Sequence, residues 1–184
     1  NPSIYHQKTT NLFETLVTPN QFGALISKPI NSGTENRFGA ELAIRYSPYK
    51  WWRLSSEFNY FSFDQKGIYT VDDSTWSTRL NSRMKFSKLT IQSSFNYTGE
   101  RQSGQMFTEA QYRANIGVSK DLWNDKATVT LNMNNILDSR ERTQLITGED
   151  YTINSYNRPI GRFTSVTFTY RFNRTKKDRD RLPD

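Results

Sequence analysis

Between Trp76 and Tyr97 the chain reads W-S-T-R-L-N-S-R-M-K-F-S-K-L-T-I-Q-S-S-F-N-Y. From Trp76 to Phe86 every second residue is apolar or small (Trp76, Thr78, Leu80, Ser82, Met84, Phe86), and Ser77, Arg79, Asn81, Arg83 and Lys85 stand between them. Side chains on a β-strand alternate faces with period two, so this stretch has one apolar face and one charged face. After Ser87 and Lys88 the alternation restarts, with Leu89, Ile91, Ser93, Phe95 and Tyr97 set against Thr90, Gln92, Ser94 and Asn96. Two such runs joined by a tight turn predict a β-hairpin, and about ten residues is the length of a tilted strand that crosses a membrane.

The same unit recurs along the chain. Ser3 to Leu16, with Tyr5, Leu12 and Phe13 among polar residues, predicts a first strand. Val17 to Pro29 and then Asn31-Ser32-Gly33 read as a loop by composition, although the second strand has room to begin well before Thr34. Phe38, Ala40, Leu42, Ile44 and Tyr46 alternate with Gly39, Glu41, Ala43 and Arg45. After the turn Ser47 to Lys50, Trp52, Leu54, Ser56, Phe58 and Tyr60 alternate with Arg53, Ser55, Glu57 and Asn59. A polar connection is expected from Asp64 through Asp72-Asp73, and another from Thr98 to Thr108. Tyr112 to Val118 and Ala127 to Met133 alternate in turn across the short turn Leu122 to Lys126. The longest loop region is expected from Asp138 to Asn157, before a last strand with Val166, Phe168, Tyr170 and Phe172 opposite Thr167, Thr169 and Arg171. The total is about eight antiparallel strands, an even number.

Short connections near residues 48, 87 and 124 alternate with long ones near 20, 68, 103 and 148. A soluble meander has no reason to gather its long loops at one end, whereas transmembrane barrels put short turns in the periplasm and long loops outside. Aromatic rings mark both ends of the strands: Tyr46, Trp52, Phe86, Trp123 and Phe172 at the short-turn end, Tyr60, Trp76, Tyr97 and Tyr112 at the other. Two membrane–water interfaces select for such amphipathic rings. The opposite face carries Arg45, Arg53, Glu57, Arg79, Arg83, Lys85, Arg113 and Arg171, which a dry core cannot hold unpaired. A barrel lumen can hold them in water. The fold expected is an all-β, antiparallel transmembrane β-barrel over residues 1–173, with residues 174–184 a periplasmic carboxyl-terminal tail. A soluble sandwich or lipocalin-like closure is the competing fold, because no amphipathic helix is available to cover the apolar faces.

Composition permits this reading. Only 34% of the 184 residues are hydrophobic, yet 14% are aromatic, and no run approaches the ~18 apolar residues of a membrane helix. Barrel strands expose only alternate residues to lipid and so escape hydropathy scans. Without cysteine there is neither a disulfide framework nor a thiolate metal site. The chain starts at Asn1 with neither Met nor a signal peptide, as expected of a mature form or a piece of something longer. The net charge of +7 suits an acidic partner such as nucleic acid, lipopolysaccharide phosphate or an anionic solute.

Lys120-Asp121-Leu122-Trp123, then Ala127 to Asp138 (A-T-V-T-L-N-M-N-N-I-L-D), then Arg158 to Phe172 closing on V-T-F-T-Y-R-F, resemble the carboxyl end of TonB-dependent outer-membrane receptors of the Bacteroidetes type, and more narrowly their outer-membrane β-barrel family. Glu35-Asn36, Gly39 to Leu42, Pro48 and Lys50-Trp51-Trp52 are similar to the same family's strand-turn-strand. The resemblance implies energised import of a siderophore, vitamin, peptide or glycan through a plugged barrel. It implies as partners the bilayer and its lipopolysaccharide, a plug domain, the TonB complex, barrel-assembly machinery and a surface lipoprotein or larger envelope complex. Such transporters have 22 strands, so these residues are expected to be the final strands of a longer receptor. The alternative is a complete small barrel with a structural, adhesive or complex-assembly role.

Nothing points to catalysis. His6 is the single histidine and stands in the weakest strand, so no Ser-His-Asp device is expected. Asp72-Asp73 and Glu149-Asp150 lack calcium-loop spacing, and neither metal nor cofactor is expected. Asn96-Tyr97-Thr98 matches a glycosylation sequon by chance. The tail from Arg174 is basic but has no interleaved aromatics, which argues against nucleic acid as a partner. Arg101, Arg140, Arg142 and Tyr151, on long loops, are the candidates for touching a substrate.

Overall fold

The computed structural model describes residues 1–159 and 161–172. They form strands β1 (Pro2–Pro19), β2 (Leu25–Tyr49), β3 (Trp52–Lys66), β4 (Val71–Phe86), β5 (Leu89–Thr98), β6 (Arg101–Ser103), β7 (Met106–Thr108), β8 (Gln111–Leu122), β9 (Ala127–Asn134), β10 (Arg142–Thr147), β11 (Thr152–Asn157) and β12 (Phe163–Tyr170). Eight of them make one antiparallel sheet in the order β1-β2-β3-β4-β5-β8-β9-β12, and the other four make a small sheet, β11-β10-β7-β6. β1 and β12 are the two edges of the large sheet. The basic segment from Arg174 lies outside the described residues.

From β2 to β12 register carries the predicted alternation from strand to strand, whereas β1 turns His6 and Lys8 to the same side as Ile4. Leu42 pairs with Phe58, Phe58 with Thr78, and Leu80 with Phe95. Phe95 faces Ala114, Ile116 faces Met133, and Leu131 faces Val166. Directly opposed residues share a face, so one surface is apolar from strand to strand. No second layer covers that surface among the described residues: Leu80 is 44%, Phe168 55% and Val166 69% exposed. The soluble sandwich is thereby excluded, since its apolar faces would be stacked together. Among the described residues no helix is long and apolar enough to cross a membrane.

Two of the expected long connections are instead tight turns at the ends of long strands. β2 starts at Leu25 and pairs with β1 as far as Pro19↔Leu25, leaving residues 20–24 as the turn. Asn20 folds it, its side-chain oxygen accepting from the amides of Phe22 and Ala24, each at 2.9 Å. β3 and β4 likewise pair up to Gln65↔Val71. Pro29 is tolerated inside β2 because β3 ends opposite Thr34, so beyond that level β2 has only β1 for a neighbour and its free side needs no N–H. The other two long connections hold the small sheet: β6 and β7 come from one, β10 and β11 from the other.

Candidate functional site

The charged face of the large sheet runs in rows set by register. Glu57, Arg79, Asn96 and Arg113 lie side by side across four strands. Arg79 donates through Nη1 to Glu57 Oε2 at 3.2 Å and through Nε to Asn96 Oδ1 at 3.1 Å. Toward the short turns the charges stop compensating. Arg53 stands opposite Arg83, and Arg45 lies one row away, around a hollow of about 550 Å³ completed by Asn81, Gln92 and Asn132. No carboxylate lines this hollow among the described residues. Opposed like charges disfavour one another, so the surface is suited to solvent or to an acidic counterpart. Tyr5 is laid over Gly39, where a Cβ would sit 2.4 Å from its ring, and its hydroxyl donates to Asn59 at 3.3 Å. Glycine is required there for the ring to lie flat on the wall.

Above the Tyr60↔Trp76 pair the inner face changes character. Phe63, Gln65, Val71, Glu35 and Val17 are buried, because the small sheet folds over them. Glu35 accepts from Arg37 at 2.6 Å and from Arg101 at 3.2 Å. Arg37 stacks 4.4 Å over Phe61 and Arg101 4.7 Å over Phe63. Burial pulls the Arg101 guanidinium below its usual pKa, against the opposite pull of Glu35. Gln105 clamps β1 from the loop side: its Oε1 accepts from the Val17 amide at 2.9 Å, its Nε2 donates to the Tyr151 hydroxyl at 3.0 Å, and that hydroxyl donates to the Val17 carbonyl. Bulges in β1 between Thr10 and Phe13, with Asn11 at φ 56°, accompany the switch that puts Glu14 in the buried layer. Glu14 Oε1 lies 2.1 Å from where a Cβ on Gly67 would be, so any side chain there would displace it.

An outward apolar band, a charged inner face and two aromatic rows are the features that a bilayer demands of a crossing sheet. Residues 1–170 match the model of the outer membrane protein beta-barrel family. The chain belongs to that family. It is an outer-membrane β-barrel protein, and the bacterial outer membrane is where it resides. No curated protein and no solved structure matches it.

In this outer-membrane barrel the predicted rings lie in two rows. Tyr60 is opposite Trp76, and Trp76 stacks on Tyr97 at 4.2 Å, which is opposite Tyr112. At the other end Tyr49, Trp51, Trp52 and Phe86 cluster at 4.7–6.5 Å, with Tyr46 beyond them, and Trp123 meets Tyr170 edge-on at 6.1 Å beside Phe172. Trp76 and Phe86 are ten positions apart on β4. That is about 33 Å of strand, or about 25 Å of height at a tilt of ~40°, which equals the apolar band of such barrels. Arg45, Arg53, Glu57, Arg79, Arg83, Lys85 and Arg113 share the inner face by register. Arg171 donates to Thr128 Oγ1 at 2.9 Å and to the Asp125 carbonyl at 3.1 Å, tying the end of the closing strand to β9.

The four loop candidates separate. Arg101 and Tyr151 are engaged inside the loop layer, Arg142 is exposed at the start of β10, and Arg140 borders a small cavity with Arg113. Sequence reasoning missed Glu14, Glu35, Gln65, Gln105 and Asn135, all of them buried polar groups. For Glu35 a signal existed: Glu35-Asn36-Arg37 places acid and base on one face of a strand two residues apart. For the others the partners come from distant loops, and no local pattern records them.

Proposed function

We propose that this outer-membrane barrel is the carboxyl-terminal part of a TonB-dependent receptor of the Bacteroidetes type, and that its role is transport rather than catalysis. The substrate class is a siderophore, vitamin, peptide or glycan. The observation that carries the reading is the inner face. Arg45, Arg53, Arg79 and Arg83 are exposed there and, around Arg53 and Arg83, uncompensated, which suits a wide lumen holding a plug better than a narrow barrel packed with its own side chains. The similarity of Leu131 to Leu137 and of Tyr170-Arg171-Phe172 to the receptors' last strands adds to this.

The plug, the TonB complex, the assembly machinery and a surface lipoprotein are partners on this reading. The test is uptake of ferric siderophore, cyanocobalamin, oligopeptide and oligosaccharide by cells with and without the gene. Gene-dependent uptake of one of these, abolished by a protonophore, is expected. Gene-dependent uptake that persists in the protonophore, or a native protein no longer than these 184 residues, would overturn it in favour of a complete small barrel.

A further inference from the structure

Where β8 and β9 meet the loops there is a cavity of about 180 Å³, bordered by Arg113, Asn115, Asn134, Asn135, Arg140, Gly161 and Phe163. That is the space of about six waters. Asn135 is 2% exposed and held in the left-handed region at φ 52° by three bonds. Its amide donates to Asn115 Oδ1 at 3.0 Å, its carbonyl accepts from Asp138 at 2.8 Å, and its Oδ1 accepts from the Ser139 amide at 3.0 Å. Every acceptor on the residue is thus used, while Nδ2, a donor, is buried without a partner. Arg113 Nε is also buried without a partner. Arg140 makes no ion pair among the described residues. Asp138, whose Oδ1 lies 3.1 Å from where a Cβ on Gly161 would be, is committed: it accepts from Arg158 through Oδ2 and from the Arg162 amide through Oδ1.

Two guanidinium groups and two unused buried donors, beside the mixed donor and acceptor amide of Asn134, define what fits the space. A neutral guest would leave both charges uncompensated. A guest that is itself a donor would leave Asn135 Nδ2 orphaned. An oxyanion satisfies all of them, and Arg is the side chain whose planar fork matches carboxylate and phosphate oxygens two at a time. We propose that this cavity is an oxyanion-binding site opening on the lumen, held by Arg113, Arg140 and the Asn135 side-chain amide. Its occupant is either a dissolved phosphate or carboxylate, or an acidic side chain of another polypeptide segment within the barrel. The site stands on these residues whether or not the transport reading holds.

The experiment uses the full-length protein purified in detergent, with heat-modifiable gel mobility as the check that each variant is folded. Inorganic phosphate is titrated and followed calorimetrically. Saturable binding that Arg113→Gln and Arg140→Gln each weaken at least ten-fold, and that Lys28→Gln leaves unchanged, supports a dissolved anion. Absence of phosphate binding together with a carbodiimide cross-link from Arg140→Lys to an Asp- or Glu-bearing peptide supports the side-chain occupant. Phosphate binding indifferent to Arg113→Gln and Arg140→Gln, or neither binding nor cross-link, would overturn the site. Arg140 is exposed, so its variants keep the test valid even where a change at Arg113 prevents folding.

Discussion

Below the Tyr60↔Trp76 pair the β3–β4 hairpin turns Leu54, Phe58 and Leu80 outward and Arg53, Glu57, Arg79 and Arg83 inward. Above that pair the same two strands turn Ser62, Asp64, Asp72 and Ser74 outward and Phe61, Phe63, Gln65 and Val71 inward. The phase of the alternation is unbroken and its polarity is reversed. What changes is the solvent on each side. Below, lipid lies outside and the aqueous lumen inside. Above, water lies outside and the loop sheet fills the inside. A strand has no inherent inner and outer chemistry; each half is matched to its own pair of neighbours.

The largest effect expected from breaking this match is at Phe63, 2% exposed under the loop sheet. Phe63→Ala should cost about 3–5 kcal/mol, the usual cost of emptying a packed aromatic site. Phe58→Ala, on the lipid side of the same strand, should cost less, because acyl chains close around the space that the ring leaves. Urea unfolding of each variant in phospholipid vesicles measures both. Equal costs would mean that the two halves share one environment, and the comparison would fail.

Charge should discriminate next. Leu80→Arg places a guanidinium on the outward face between the two aromatic rows and is expected to cost about 2–4 kcal/mol, as such substitutions do near the bilayer midplane. Ser62→Arg is outward too, but above the row, and should stay within about 0.5 kcal/mol, as for a water-exposed site. Arg79→Gln, in the lumen, removes one exposed ion pair with Glu57 and should also be mild. The same unfolding assay ranks the three, and a costly Ser62→Arg would raise the membrane boundary above Tyr60.

The reversal also accounts for what could be read in the sequence. The lower halves were legible because lipid imposes one rule on strand after strand, and seven repetitions of that rule from β2 onward identify both the faces and the long-loop end. The upper halves read as loop because Asp64, Asp72 and Asp73 carry the composition of a connection, yet they stand in strands, Asp64 and Asp72 on the outward face and Asp73 inward opposite Phe63. Pro19 and Pro29 misled in the same way, since proline argues against a strand unless one of its sides is free; Pro19 has that freedom because β1 is an edge strand, and Pro29 because β3 ends opposite Thr34. Arg113 was legible as a lumen residue. Its neighbour Arg140 was legible only as a loop residue able to touch a substrate, and Asn135 not at all, since it reaches the cavity through a left-handed turn.

The smallest effect expected distinguishes the two ends of the upper rim. Over β3 and β4 the loop layer is held by buried rings, whereas beyond β9 it is held by the exposed carboxylate of Asp138, bound to the Arg158 guanidinium and the Arg162 amide. The hydrogen bond from Arg158, followed by that from Arg162, holds the Asp138 carboxyl below its ordinary value. A folded-state value below the unfolded one means that the clasp is at full strength above the ordinary carboxylate pKa of about 3.9 and is lost as pH falls through the lower, folded value. Pepsin nicking between residues 138 and 162 should therefore accelerate in that acid window, while β3 and β4, held by Phe63 and Val71, stay resistant. Asp138→Asn should nick at an already elevated rate with the acid-dependent rise removed. A wild-type chain whose two ends open together as the pH falls would show that one cooperative layer, not two differently held ones, covers the mouth.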